Sequence, residues 1–173
     1  MCLYSWFNIT SGTVSLFDGP APHIRVFAQS GEEIEAVGDW VRAQVDRAFE
    51  PREVAVIVRS EQEMERAIAA INAAGVAHQI LDHQMALEPD AVAIATMHLA
   101  KGLEFRALAV MACDEDVVPS ANRLASAGDA SDMEEIYNTE RHLLYVACTR
   151  ARDNLLVAAV TPSSEFLEDI VAT

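Results

Sequence analysis

The chain has 173 residues, of which 51% are apolar, and this length and composition suit a single domain with a sizeable buried core. Twelve basic residues against 27 acidic ones give a net charge of −15. This balance excludes a broad basic surface for nucleic acid, because non-specific binding depends on clustered lysine and arginine. Any contact with nucleic acid must therefore be local.

The sequence gives no sign of export or of a membrane span. Its amino terminus, MCLYSWFNITSG, has no basic n-region, and no stretch reaches the ~18 apolar residues of a span. The cysteines, Cys2, Cys113 and Cys148, are odd in number and lack CxxC spacing, which argues against a disulfide framework and against a zinc site. We therefore expect a soluble cytoplasmic protein in a reducing compartment.

Residues 1–22 show no clear period and end in the turn-rich stretch Gly19–Pro22. We interpret them as an amino-terminal extension or domain edge, followed by one domain over residues 23–173.

Strand and helix signals alternate along this domain. Apolar runs predict strands at Ile24–Ala28, Val54–Val58, His78–Leu81, Ala91–Ala95, Ala107–Ala112 and Leu155–Val160. Two of the intervening helices are predicted to open with a capping box, Ser30 with Glu33 and Ser60 with Glu63, and Gly75 is predicted to end the second. Such alternation is typical of a mainly parallel sheet between helices, an α/β fold.

The last third of the chain has its own start and stop signals. The small, polar segment Pro119–Asp132 predicts a loop, and Asp132 and Glu135 are expected to cap the helix that follows. Thr161-Pro162 is expected to open a last helix that runs to about Ile170, with proline at the first helical position.

Two short strings carry most of the functional signal: TMHLAKGLEF, Thr96–Phe105, and ERHLLYVACTRAR, Glu140–Arg152. The first follows a predicted buried strand, so Thr96 and His98 leave its carboxyl end, where open parallel sheets bind ligands. The second begins on a predicted helix and ends just before the last strand. Arg150 therefore lies where a helix is followed by a strand.

Each of these residues also has a purely structural interpretation. Arg59, after a buried strand, could be a solvated charge, and His98 could cap or pack against a neighbouring element. Glu104 could pair with Lys101 or Arg106.

The arginines of the second string have a similar alternative. Arg150 lies near Arg141 and Arg152, and any of the three could serve only to neutralise Glu140 or Asp153. The residue pattern alone leaves these alternatives open.

Taken together, the two strings resemble motifs V and VI of the UvrD/Rep-type superfamily 1 DNA helicases, and VAVIVRS, which ends at Ser60, resembles the motif IV region. The resemblance covers roughly Ile24–Val160. It implies the second of two RecA-like lobes, a three-layer α/β/α domain of the P-loop NTPase type. In that family ATP lies between the lobes and single-stranded DNA crosses them.

The resemblance also implies a role for each matching residue. Arg150 would be the arginine finger that reaches the γ-phosphate, and Arg59 a second γ-phosphate contact. An always-charged planar guanidinium suits the dispersed charge of a phosphoryl-transfer transition state. Glu104 would contact the nucleotide ribose.

The remaining motif residues are expected at the nucleic acid and in the turn. Thr96 and His98 would contact the DNA backbone or a base. Lys101 and Gly102 would shape the turn between the two sites, Lys101 on the nucleic-acid side and Gly102 on the nucleotide side.

Half of an ATP site is missing from the sequence. No GxxxxGK[ST] string precedes a helix, and no apolar strand ends in the paired acids that hold Mg²⁺; the acidic cluster Asp114–Asp116 occupies a different place. We therefore expect ATP with Mg²⁺ to be bound jointly with a first RecA-like lobe, in the same parent protein or on a partner chain, and no ATPase activity from this chain alone. A complete small NTPase is excluded.

The family also carries a large insertion in its second lobe, which is reduced here, since only about forty residues separate Arg59 from Thr96. The rival interpretation is a non-catalytic interaction module derived from a helicase. The charge of −15 favours that rival, and the presence of Arg59, Glu104 and Arg150 favours the motor lobe.

Overall fold

A computed structural model describes residues 21–47, 49–84 and 86–167. Within them the chain forms one six-stranded sheet in the order β1-β6-β5-β2-β4-β3, and all neighbouring strands are parallel. The strands are β1 (His23–Phe27), β2 (Val54–Val58), β3 (His78–Ile80), β4 (Val92–Thr96), β5 (Phe105–Val110) and β6 (Ala151–Val160). The predicted α/β fold with a mainly parallel sheet is thus confirmed.

Helices cover both faces of this sheet. They are α1 (Ser30–Arg47), α2 (Met64–Ala74), the short α3 (Ala121–Ala125) and α4 (Ala130–Cys148). Helices α1 and α2 pack on one face and α4 packs on the other, so each face has its own apolar core. None of the helices in the described ranges is long and apolar enough to cross a membrane.

The central strands are apolar at every position because both of their faces are buried. Successive side chains of a strand point to opposite faces. Val56 and Ile94 accordingly pack in the α1/α2 core, while Ile57 and Ala95 pack in the α4 core. This is the continuous apolar pattern of a covered parallel sheet.

The carboxyl end of α2 is fixed by two devices. Gly75 takes the left-handed conformation, with φ of +68°, and ends the helix as predicted. Arg42 of α1 donates from Nε to the Ala74 carbonyl (2.8 Å) and from Nη2 to the Ala73 carbonyl (2.7 Å), which satisfies helix-end acceptors with a cation.

The capping predictions had mixed outcomes. The Ser60–Glu63 box is confirmed. Glu63 Oε2 accepts from the Ser60 amide at 2.9 Å, and the Ser60 side chain accepts in return from the Glu63 amide. The Ser30–Glu33 box is wrong. The Glu33 carboxylate accepts from the distant Ala112 amide (2.9 Å), and Glu32 instead accepts from the Ala28 amide at 3.1 Å.

The boundaries in the last third also differ from the prediction. Asp129 caps α4 by accepting from the amides of Ser131 (2.8 Å) and Asp132 (2.9 Å), and the preceding segment holds α3 rather than only a loop. The last helix begins at Glu165, after the cis Thr161-Pro162 bond, with Ser164 Oγ accepting from the Phe166 amide at 3.2 Å.

Two further predictions lie beyond the described ranges. The end of the last helix near Ile170 lies outside the described residues, as does nearly all of the extension assigned to residues 1–22.

The segment 97–104 crosses from the carboxyl edge of β4 to the amino edge of β5 on the α4 side of the sheet. Its apolar residues Met97, Ala100 and Leu103 are buried in the same core as Leu144 of α4. Because this segment packs against α4, the two motif strings lie side by side. Together they reach from the carboxyl edge of the sheet to its amino edge.

Candidate functional site

Arg150 lies in the turn between α4 and β6, at the amino edge of the sheet. Its guanidinium donates from Nε to the Val146 carbonyl (3.1 Å), from Nη2 to Thr149 Oγ1 (3.1 Å) and from Nη1 to the Leu103 carbonyl (3.5 Å). All three acceptors are neutral, and the described residues supply no carboxylate within ion-pair distance. The half-buried side chain is thus oriented while its positive charge remains available to an anion.

Glu104 lies beside Arg150 at the start of β5. The next amide, that of Phe105, donates to the Arg150 carbonyl at 2.9 Å. The Glu104 side chain is exposed and has no hydrogen bond or ion pair within the described part of the chain. A carboxylate of this kind can accept hydrogen bonds from two hydroxyl groups.

The structural alternative for Glu104 is not supported. Arg106 pairs instead with Asp153, Nε to Oδ2 at 2.6 Å, and its guanidinium lies 4.4 Å from the centre of the Phe49 ring. No ion pair joins Glu104 to Lys101 among the residues that the structure describes.

Gly102 and Lys101 lie in the turn that leads to Glu104. Gly102 has a φ of +89°, which costs an L-residue roughly 1–2 kcal/mol, and it is exposed with open space where a Cβ would be. The Leu103 amide donates to the Ala100 carbonyl at 3.1 Å and closes the turn. Lys101 is exposed at its tip.

Thr96 and His98 lie at the opposite, carboxyl edge of the sheet. Thr96 ends β4 and is buried, whereas His98 is exposed. Both line a cavity of about 520 Å³ whose walls are largely apolar. The other lining residues are Ser60, Glu61, Met64, Ile80, Leu81, His83 and Leu99.

The charge state of His98 follows from its surroundings. Partial burial of the imidazole beside the cavity lowers its pKa most, and the positive charge of Arg59 lowers it further against the opposing effect of Glu140. His98 is therefore neutral at neutral pH and has one donor and one acceptor nitrogen to offer a ligand.

Arg59 follows β2 at the same carboxyl edge and is only 5% exposed. It forms a bidentate pair with Glu140 of α4, Nε to Oε2 at 2.7 Å and Nη2 to Oε1 at 2.5 Å. The interpretation of Arg59 as a solvated charge is therefore wrong. Glu140 is also not the partner of Arg150, so the corresponding alternative for that arginine is wrong as well.

Glu140 is completely buried and has further donors. Arg123 of α3 donates from Nη1 to Oε1 at 2.8 Å, and the Ser120 amide donates to Oε2 at 3.2 Å. Burial alone would raise the pKa of Glu140, but the hydrogen bonds and charge of Arg59, supported by Ser120 and Arg123, hold it below its usual value of 4.5.

The sequence interpretation assigned no role to Arg123 and considered Glu140 only as a neighbouring charge. One signal was present for Glu140: it precedes the apolar positions Leu144 and Ala147 by four and seven residues, so it lies on the buried stripe of its helix. An acid on such a stripe requires a cation. Arg123 stands in a small polar segment and gave no comparable signal.

The structure thus brings the predicted residues together in two groups. Arg150, Glu104 and Gly102 meet at the amino edge, and Arg59, Thr96 and His98 meet at the carboxyl edge. The segment 97–104, which is anchored by its buried apolar residues, connects the two edges. Arg59 and Arg150 share no hydrogen-bond partner.

The acidic cluster after β5 has a structural role at Asp114. Its carboxylate pairs with Arg66 Nη1 (2.6 Å) and accepts from the Val160 amide (2.7 Å). Arg66 also pairs with Glu33, whose pKa is raised by burial above its ordinary value. Across the described ranges no group of three or more histidine, cysteine or acidic residues could hold a metal ion. The Arg150 guanidinium and the Glu104 carboxylate have the chemistry to bind a phosphate and a pair of hydroxyl groups, respectively.

Comparisons with known proteins agree with these motifs. The family model described as the UvrD-like helicase C-terminal domain matches residues 61–161. The ATP-dependent DNA helicase PcrA of Staphylococcus aureus (strain MRSA252) is 39% identical over 75 residues, 43% of this chain and 10% of that protein. The probable DNA helicase II homolog of Rickettsia conorii is 32% identical over 120 residues, 64% of this chain and 17% of that protein.

A solved structure has the same fold. The C-terminal domain of a possible DNA helicase from Lactobacillus plantarum WCFS1 superposes with a TM-score of 0.64 at 26% identity, covering 88% of this chain and 81% of that one. The chain spans less than a fifth of the two curated relatives, with matches covering 10% and 17% of their lengths. Since the family model matches more than half of the sequence, the chain belongs to the UvrD-like helicase C-terminal domain family.

Proposed function

We propose that the chain is the second motor lobe of an ATP-dependent DNA helicase and that Arg150 is its arginine finger. The observation that carries this proposal is the state of the Arg150 guanidinium, which is oriented by three neutral oxygens and paired with no described carboxylate. A guanidinium held in this way can contact the γ-phosphate without first breaking an ion pair. Catalysis of phosphoryl transfer requires such a positive charge next to the transferring group.

The resemblance makes Arg59 a second γ-phosphate contact, but Arg59 lies at the carboxyl edge of the sheet, whereas Arg150 and Glu104 lie at the amino edge, so we do not place Arg59 on the same phosphate. Glu140 takes its Nε and Nη2, and Nη1 donates to no described residue. The pair would therefore fix the direction of the guanidinium and leave one nitrogen for a phosphate at the carboxyl edge. Glu104, exposed and unpaired next to Arg150, would bind the ribose hydroxyls, with Gly102 shaping the turn that presents it.

The carboxyl edge is proposed as the contact for single-stranded DNA. Thr96 and His98 lie there beside an apolar cavity, and exposed Lys101 lies on the same segment. Apolar and imidazole surfaces suit an unstacked base, and a local cation suits a backbone phosphate. The net charge of −15 means that these contacts alone would bind DNA weakly.

The ATP site would be completed by a first RecA-like lobe that carries the phosphate loop and the Mg²⁺ ligands. Bound Mg·ATP would supply the phosphoryl group, and this chain would supply the orienting cation and the ribose contact. The name of one relative, the ATP-dependent DNA helicase PcrA, supports the use of ATP and DNA.

Reconstitution tests the proposal. The purified chain should hydrolyse no ATP, and addition of a first lobe from a related helicase should raise the turnover of that lobe by on the order of 10³-fold, the scale of a supplied arginine finger. DNA-stimulated phosphate release would be measured for each lobe and for the mixture. Hydrolysis by the chain alone would contradict the half-site.

The second candidate function is a non-catalytic interaction module, which the charge of −15 favours. The same experiment separates the two. A complex that forms between the lobes but shows no gain in turnover would support the module and would rule out the motor lobe.

A further inference from the structure

Two arginine side chains donate hydrogen bonds to the Glu140 carboxylate, although one would neutralise its charge. Its Oε1 accepts from Arg59 Nη2 at 2.5 Å and from Arg123 Nη1 at 2.8 Å, and its Oε2 accepts from Arg59 Nε at 2.7 Å and from the Ser120 amide at 3.2 Å. The buried carboxylate is thus fully satisfied, and Arg59 by itself provides the balancing charge.

Arg123 therefore brings an extra positive charge to this edge. Two guanidinium groups face one carboxylate, and Arg123 has no other acidic partner among the described residues. Its side chain is 42% exposed, whereas that of Arg59 is 6% exposed, so the extra charge is presented to solvent by Arg123. The cluster of Arg59, Arg123 and Glu140 thus carries one net positive charge in a chain of net charge −15, and Glu61 is the acid that lines the adjoining cavity.

His98 neighbours this cluster of two arginines and one glutamate. Burial lowers the pKa of its imidazole first, and the charges of Arg59 and then Arg123 lower it further despite Glu140. His98 also lines the cavity at the carboxyl edge, so the excess charge lies beside a surface open to a ligand.

We propose that Arg123 is a phosphate-binding residue, oriented by Glu140 and acting beside Arg59 and His98. The planar guanidinium keeps Nη1 on Glu140 and has Nε and Nη2 left for phosphate oxygens, a geometry that arginine offers and lysine does not. The phosphate belongs either to a DNA backbone or to a nucleotide. The inference rests on the proposed function only for that choice of source.

The test uses the whole chain with Arg123→Gln, Arg123→Lys and the control Arg152→Gln, which removes an equal charge from an exposed arginine at the other edge. Fluorescence anisotropy with a labelled oligothymidylate across a range of low salt concentrations gives the affinity and its salt dependence. A titration with sodium tripolyphosphate, followed through NMR chemical shifts, measures the affinity for the phosphate chain of a nucleotide. Since Arg59 still pairs with Glu140, Arg123→Gln should keep the wild-type fold, checked by circular dichroism.

For a backbone phosphate, Arg123→Gln should weaken oligothymidylate binding by about threefold or more and reduce the salt slope by about 0.7, while Arg123→Lys keeps the slope and Arg152→Gln changes neither. For a nucleotide phosphate, only the tripolyphosphate affinity should fall. If Arg123→Gln matches Arg152→Gln in both arms while the wild type binds, the inference alone is overturned. If the wild type binds neither probe, the inference falls together with the DNA contact proposed above.

Discussion

The guanidinium of Arg59 is almost fully buried against the Glu140 carboxylate, whereas that of Arg150 is half-buried and bonded to neutral oxygens. The first arrangement fixes the carboxyl end of β2 to α4, because separating the partners would leave a bare charge inside the protein. In the second arrangement, the Arg150 guanidinium can turn toward an anion without breaking an ion pair. At the scale of single residues, the two arginines thus differ in how their charge is held, and the proposed finger is the one that no described carboxylate neutralises.

Glu140→Gln tests the first of these arrangements. The substitution leaves the buried charge of Arg59 without its counter-ion, and removal of one partner of a buried pair typically lowers the free energy of unfolding by about 3–5 kcal/mol. Urea denaturation would measure the loss. Arg123→Gln, in which Glu140 keeps its main partner, should cost less than about 1 kcal/mol; equal losses in the two variants would contradict the account.

The same comparison has a defined pH dependence. The pKa of Glu140 is lower in the folded chain than its usual 4.5, so its stabilising effect is fully present above about pH 4.5 and is lost as the pH falls through the folded value. The difference in unfolding free energy between wild type and Glu140→Gln should shrink below that pH. Glu33, whose pKa is raised, contributes with the opposite sign but equally to both proteins.

At the scale of elements, the close approach of α1 and α2 depends on Gly38. A Cβ built on this residue would lie 2.7 Å from the Ala70 carbonyl oxygen and 3.2 Å from the Ala73 Cβ, distances that no flexible side chain can relieve. The two helices form one cover over the sheet, and Arg42 holds their far ends together. Gly38 therefore sets the spacing of this layer.

Gly38→Ala should destabilise the fold by about 1–3 kcal/mol, the usual cost of overpacking, because α1 must move away from α2. Gly31→Ala is the matched control in the same helix. Nothing lies within 4 Å of a Cβ at that position, so alanine should stabilise the helix by up to about 1 kcal/mol. Thermal unfolding should show a lower melting temperature for Gly38→Ala and a higher one for Gly31→Ala. If Gly38→Ala did not lower the melting temperature, the packing argument would be refuted.

The elements that were predictable from sequence are those whose signal is local. The runs at β2 and β4 are apolar throughout because both faces are buried, and they were located to within one residue. Gly75 marked a helix end because a left-handed residue was needed there. The box at Glu33 failed because a distant amide and Arg66 compete for its carboxylate, a contact that no local pattern contains.

The same limit applies to the candidate site. Arg150, Glu104 and Thr96 stand in contiguous strings, so their motif could be read directly. The pairing of Arg59 with Glu140 joins residues 81 positions apart, and only the fold brings them together. Arg123 reaches the same carboxylate from α3, in a segment predicted to be a loop.

At the scale of the whole molecule, the chain presents an oriented guanidinium, that of Arg150, and an exposed carboxylate, that of Glu104, on a strongly acidic body. Among the described residues no group of three or more histidine, cysteine or acidic residues could hold a metal ion. Under the proposed function this chain supplies one half of a shared nucleotide site, since phosphoryl transfer needs both a phosphate cradle with its metal and a separate positive charge placed next to the γ-phosphate.

The central claim, that this lobe supplies the finger, is tested most directly by the turnover of the reconstituted enzyme with Arg150→Ala. We expect ATP turnover to fall by on the order of 10³ or more while nucleotide affinity changes far less, and Arg150→Lys to recover little because a point charge does not reproduce the planar fork. Arg152→Ala, an exposed neighbour, should retain turnover. An Arg150→Ala enzyme that hydrolyses ATP at the wild-type rate would contradict the account.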